Sequence, residues 1–130
     1  MKRALLIIAF LLSSPALTAA SAKLAPASKA TDMLGEVVVK ASADDERCIV
    51  YLHDDKVQQG YKIEVGEPCP AAFPVMAKVK AWRIYSNRVI TFADADGHDL
   101  IRFRGKGYTR FAVDKVDGIE HIWSAQEVAE

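Results

Sequence analysis

Short runs of alternating apolar and polar positions, broken by Gly, Asp and Asn, occupy the chain from Gly35 to Trp123. A period of two sends successive side chains to opposite faces, so each run predicts one half-buried β-strand. The runs are Glu36 to Lys40, Arg47 to His53, Gly60 to Val65, Lys80 to Tyr85, Arg88 to Ala93, Asp99 to Arg104, Tyr108 to Val113 and Ile119 to Trp123. Ser86-Asn87, Asp96-Gly97, Gly105-Lys106-Gly107 and Asp117-Gly118 supply turn chemistry between them. Between Cys69 and Val79, Pro70 and Pro74 are poor ladder members, so that stretch predicts a loop with one helical turn. Eight short strands with short connections predict an all-β fold, an eight-stranded antiparallel up-and-down β-barrel, with a two-sheet sandwich as the alternative. Val, Ile, Leu and Phe at the inward positions predict a filled interior.

The pattern before Gly35 is different. Met1-Lys2-Arg3, the apolar run Ala4 to Leu12 and the small residues Ala19-Ala20-Ser21-Ala22 have the layout of a secretory signal peptide. The apolar run is far shorter than the ~20 residues that span a bilayer, so no retained membrane anchor is expected. Two cuts fit, after Ala20 or after Ala22. From residue 21 to about 32 the chain is rich in Lys, Ala, Ser and Pro and has no apolar periodicity, which predicts an exposed, flexible N-terminal arm. The expected organisation is a signal peptide over 1–20, the arm over 21–32, the barrel over 33–125 and a tail over 126–130.

Composition and charge narrow the functional classes. The 130 residues carry 17 basic and 17 acidic side chains and are 51% apolar, as in an ordinary globular domain. Loss of Lys2 and Arg3 with the signal peptide leaves 15 basic against 17 acidic side chains, a net charge of −2. That charge gives no footprint for nucleic acid or an anionic membrane. The chain is too short for two lobes around a cleft, and a monomer is expected. Cys48 and Cys69 are an even pair in an exported, oxidising context and are expected to form a disulfide; two free buried thiols are the alternative. No cysteine precedes Cys48, so no lipid-modified N-terminus is expected and the product should be periplasmic or secreted.

Candidate chemistry is sparse. Asp94-Ala95-Asp96-Gly97-His98-Asp99 resembles a calcium loop, but an EF-hand register through Gly97 would put Phe92 and Phe103 at the first and last ligand positions. It reads as a polar hairpin tip. His53, His98 and His121 stand on three different runs without a nucleophile or metal-ligand spacing, so neither a catalytic set nor a metal or cofactor site is expected. The charged stretches Asp44-Asp45-Glu46-Arg47 and Asp54-Asp55-Lys56 read as turns. Tyr61, Trp82, Phe103 and Trp123 read as core or barrel-closing aromatics.

Gly35-Glu36-Val37, Cys48 with Val50 and Leu52, Gly60-Tyr61, Cys69, Trp82-Arg83, Asp96-Gly97 and Leu100 to Phe103 appear in an order and spacing that carry a family likeness. From about Met33 to Trp123 the chain resembles the bacterial inhibitors of alkaline, serralysin-type metalloproteases, a family that includes an outer-membrane lipoprotein branch. The resemblance implies a barrel with one disulfide, and an N-terminal trunk that enters the protease cleft and brings its α-amine to the catalytic zinc. By position the trunk here is Ser21, Ala22, Lys23, Leu24 and Ala25. The implied function is an exported, non-enzymatic protease inhibitor whose partner is a metalloendopeptidase. A small-ligand-binding barrel is one alternative. The other is a periplasmic inhibitor of a different enzyme, such as a lysozyme, acting through the Gly105-Lys106-Gly107-Tyr108 loop.

Overall fold

A computed structural model describes residues 22–41 and 46–125. The signal peptide, Ser21, Asp44 and Asp45 of the acidic turn, and the tail over 126–130 lie outside these residues. In chain order the strands are β1 (Leu24–Ala25), β2 (Gly35–Ala41), β3 (Arg47–Val57), β4 (Gly60–Val65), β5 (Ala81–Tyr85), β6 (Val89–Ala93), β7 (Asp99–Gly105), β8 (Arg110–Val116) and β9 (Ile119–Ser124). All pairs are antiparallel, in the order β1-β5-β4-β3-β2-β9-β8-β7-β6, and a further β5–β6 pairing closes the cycle. Strands β2 to β9 therefore form a closed eight-stranded barrel, and β1 is an additional strand on β5.

Alternation fills the barrel. Cys48, Val50 and Leu52 of β3 point inward, as do Ile101 and Phe103 of β7. With Val37, Val39, Trp82, Ile84, Ile90, Phe92, Phe111, Ile119 and Ile122 they make one contiguous core. Phe92 and Phe103 meet edge to face at 5.0 Å. Each such side chain contributes roughly 1.5–3 kcal/mol on burial. Trp123 differs from the expectation of a core aromatic. It stands opposite Val38 on the outer wall, while its neighbours Ile122 and Ser124 take the inward positions. Lys40 Nζ and the Arg110 guanidinium each lie 4.4 Å from its ring centroid.

Each end of the barrel is closed by a short helical segment. At one end, α1 (Pro68–Ala72) and a 3-10 helix over Pro74–Lys78 insert Cys69, Phe73 and Met76 into the core. The Cys48–Cys69 disulfide pins this cap to the start of β3, and the Val75 amide donates to Asp117 Oδ2 at 2.8 Å in the β8–β9 turn. At the other end, a 3-10 helix over Ala27–Met33 buries Ala27, Ala30 and Met33. The segment kinks at Ala30, whose φ of −135° and ψ of 40° are not helical, so two short turns on either side of the kink bring Ala27, Ala30 and Met33 against the strands. Small side chains at the first two let it sit close against the strands. The segment read as an exposed arm is thus a plug on one face, while Ser28, Lys29, Thr31 and Asp32 remain exposed.

Asp54, Asp55 and Lys56 also depart from the sequence reading. They belong to β3, which continues past a bulge so that Lys56 pairs with Tyr61 and Val57 with Gly60. This extension is exposed from Asp54 to Val57, and a ribbon with both faces in water carries no alternating signal.

Candidate functional site

The plug end of the barrel carries the chain's N-terminal approach. Strand pairing first places Leu24 opposite Tyr85 and Ala25 opposite Ile84. The Ser86 amide then donates to the Lys23 carbonyl at 2.8 Å. Strand β4 meets β5 only at Tyr61↔Trp82, so the rest of that β5 edge is open to β1. Pro26 breaks the ladder, and the following Ala27 amide donates to the Tyr61 hydroxyl at 3.0 Å. Tyr61 is itself held against Trp82, with ring centroids 5.4 Å apart.

Of the five residues expected to form the trunk, the structure describes four, and three of these lie along the barrel wall. Lys23, Leu24 and Ala25 are held by β5 and Ser86. Ala22 precedes that attachment, and Ser21 lies outside the described residues. Leu24 is 63% exposed, the side chain of a short strand with no partner on its outer side.

Beside β1 runs an open groove of about 480 Å³, bounded by Leu24, Ala25 and Pro26 on one side and by the Lys56 to Tyr61 hairpin tip on the other. It lies outside the filled barrel. The hairpin tip is fixed by Arg83, whose Nε donates to the Gln59 carbonyl at 2.8 Å and whose Nη1 reaches Asp99 Oδ1 at 3.2 Å. Tyr85 Oη donates to the other Asp99 oxygen at 3.1 Å. Gly60 allows the approach, because a Cβ there would stand 2.5 Å from the Trp82 carbonyl oxygen, and its φ is +145°.

The same end holds the β7–β8 loop, which the sequence reading assigned to a different kind of inhibitor. Gly105 and Arg88 pair through backbone, and the Arg88 guanidinium donates to the Gly107 carbonyl. Tyr108, 72% exposed, is the most exposed large apolar side chain among the described residues. Leu24, Val57 and Tyr108 are three of the four exposed large hydrophobics among the described residues; Leu24 and Val57 both border the groove, and Tyr108 stands in the β7–β8 loop.

The histidines are dispersed. His53 pairs with Glu64 at 2.6 Å on the exposed wall, and His121 lies beside Trp123. At the β6–β7 hairpin tip, ligand atoms of Asp94, Asp96 and His98 lie within 4.8 Å of one another. Asp94 Oδ1 accepts the amides of Asp96 and His98, both at 2.9 Å, so this carboxylate serves its own turn. The His98 amide is the main reason the Asp94 carboxyl titrates below its ordinary value.

The groove, the β1 attachment and the plug were hidden from the sequence, because neither a two-residue strand nor two short turns joined by a kink at Ala30 stand out in a Lys/Ala/Ser/Pro-rich stretch. A family model described as "Protease inhibitor Inh" matches residues 27–124, from the first residue of the plug to the last of β9. No curated protein matches the chain.

Proposed function

From the premise that this chain belongs to the protease inhibitor Inh family, we propose that it is an exported inhibitor of zinc metalloproteases that enters the target's cleft with its N-terminal residues. The observation that carries this reading is the attachment of Lys23 to Ala25 along β5, which fixes the chain at one defined place just after the residues proposed to enter the cleft. A partly fixed approach lowers the ordering cost of binding, since less chain must be immobilised in the complex. The geometry also bears on processing. A cut after Ala22 would put the new α-amine on Lys23, whose carbonyl already accepts the Ser86 amide. A cut after Ala20 keeps Ser21 and Ala22 ahead of that attachment, and this is the form proposed to act.

An α-amine has an ordinary pKa of about 8, so the neutral form able to ligate zinc is available at small cost near neutrality. Small side chains at Ser21 and Ala22 suit a narrow cleft. The Cys48–Cys69 bridge fits an oxidising destination, the periplasm or the medium. The filled barrel favours this reading over a ligand-carrying barrel, because the inward positions are occupied by the protein's own side chains.

The test is an inhibition constant against a serralysin-type protease, with serine and cysteine proteases in parallel, for protein beginning at Ser21 in free and Nα-acetylated form. Strong inhibition of the zinc protease and its loss on acetylation is the expected result. Equal potency of the two forms would move the interface away from the N-terminus. Absence of inhibition across the panel would overturn the reading altogether.

A further inference from the structure

We infer that Tyr108 is a second docking point for the same protease, seated on the rim of its cleft while the N-terminal residues enter it. This inference rests on the proposed function and adds a contact which that function does not require. Its basis is the way one turn joins the two features. The β5–β6 turn bonds the base of the N-terminal strand through Ser86 and holds the β7–β8 loop through Arg88.

Arg88 does three things in that loop. Its guanidinium carbon lies 5.2 Å from the Tyr108 ring centroid and 5.0 Å from that of Phe111, a buried core residue. Its side chain donates to the Gly107 carbonyl. Its backbone amide donates to Tyr85 and its carbonyl accepts from Gly105. These contacts hold an otherwise exposed tyrosine over a cation that is itself backed by the core. Arg88 has φ +65°, a left-handed conformation in which glycine is favoured. The side chain that this backbone carries is the one that packs between Tyr108 and Phe111 and bonds Gly107. Gly105 leaves the room, since a Cβ there would stand 3.0 Å from Arg88 Nε.

Scale supports a shared footprint. A standard interface covers about 800 Å² on each partner, a patch about 32 Å across. The path from Lys23 through Ser86 and Arg88 to Tyr108 is one hydrogen bond, two residues of chain and one side chain, on the order of 20 Å at full stretch. A protease closing over the N-terminal residues therefore reaches this loop. Tyrosine suits the role, because it supplies a large contact area with two rotatable bonds and is enriched among residues that dominate binding energy.

The experiment compares inhibition constants of the full mature protein and its Tyr108→Ala, Tyr108→Phe and Arg88→Lys variants against the zinc protease, and repeats Tyr108→Ala in protein lacking Ser21 and Ala22. Tyr108→Ala should weaken inhibition about 10- to 100-fold in both backgrounds, with an unchanged unfolding midpoint. Tyr108→Phe should keep most of the potency. Arg88→Lys should weaken inhibition through a faster off-rate, as expected of a positioning residue. Full potency of Tyr108→Ala, where the parent inhibits, would overturn this inference and leave the N-terminal mechanism standing. A parent that inhibits no protease would overturn both.

Discussion

The Lys23 carbonyl accepts the Ser86 amide at 2.8 Å, and that bond divides the N-terminal segment into the residues docked on β5, from Lys23 on, and the two before them that are proposed to act. Truncations should divide in the same way. Removal of Ser21 and Ala22 should abolish most inhibition without moving the unfolding midpoint. Removal through Ala25 should add a smaller further loss and lower the midpoint slightly, because the β1–β5 pairs go with it. Inhibition constants and thermal scans on the two forms separate these effects. Loss of potency only on the longer deletion would place the contact on Leu24 instead.

Inhibition by an α-amine should depend on pH in a defined direction. Below about pH 8 the protonated fraction cannot ligate zinc, so the inhibition constant should rise roughly tenfold for each unit of acidification. Nα-acetylated protein should show none of this dependence. The check is a pH series on both forms against the same protease, corrected for the protease's own profile.

Met33 is completely buried at the end of the plug. Its replacement by Ala should cost about 2–5 kcal/mol in urea unfolding, the range for a large side chain removed from a closed core. A cost below about 1 kcal/mol would mean that the plug is dispensable to the barrel.

Gly60→Ala probes the hairpin that bounds the groove. The new methyl would meet the Trp82 carbonyl oxygen at 2.5 Å in a conformation with φ +145°, so backbone must shift. We expect a loss of about 1–3 kcal/mol, read as a fall of several degrees in Tm.

Asp94 gives a pH-linked prediction far from the N-terminus. Its carboxyl is held below the ordinary 3.8, chiefly by the His98 amide, so its contribution is complete above the unfolded-state value and disappears as pH falls through the lower, folded one. Asp94→Asn should therefore be less stable than the parent at pH 7, and the gap should close in acid. Urea midpoints at pH 7 and about pH 2 check this; a gap unchanged in acid would assign the effect to something other than charge.

Most of the barrel was legible because its strands have one dry face. Gly60 to Val65 is bounded as its alternation indicates, and the runs at Asp99 and Ile119 need one more residue each. Where both faces are wet the signal disappears: Asp54 to Val57 carries charge on a projecting ribbon and reads as a turn. The Ala27–Met33 helix failed for a different reason, since alanines among Lys, Ser and Thr signal neither burial nor a helical period until the surface that receives them is known. Trp123 shows the converse error, an aromatic assigned to the core by type when its register placed it outside. At the candidate site, the family likeness pointed to the N-terminal residues as the part to examine, whereas the support of Tyr108 by Arg88 depends on residues 20 positions apart. No local pattern encodes that contact.

The closing strand has a practical consequence for anyone who immobilises this protein. Ser124 leaves β9 opposite Val37, close to where β2 begins, so the last strand delivers the chain to the same pole as the N-terminal segment. An affinity handle added after β9 would crowd the face proposed to meet the protease. Coupling through Lys78, an exposed residue on the disulfide-pinned cap at the opposite pole, would present that face to solution.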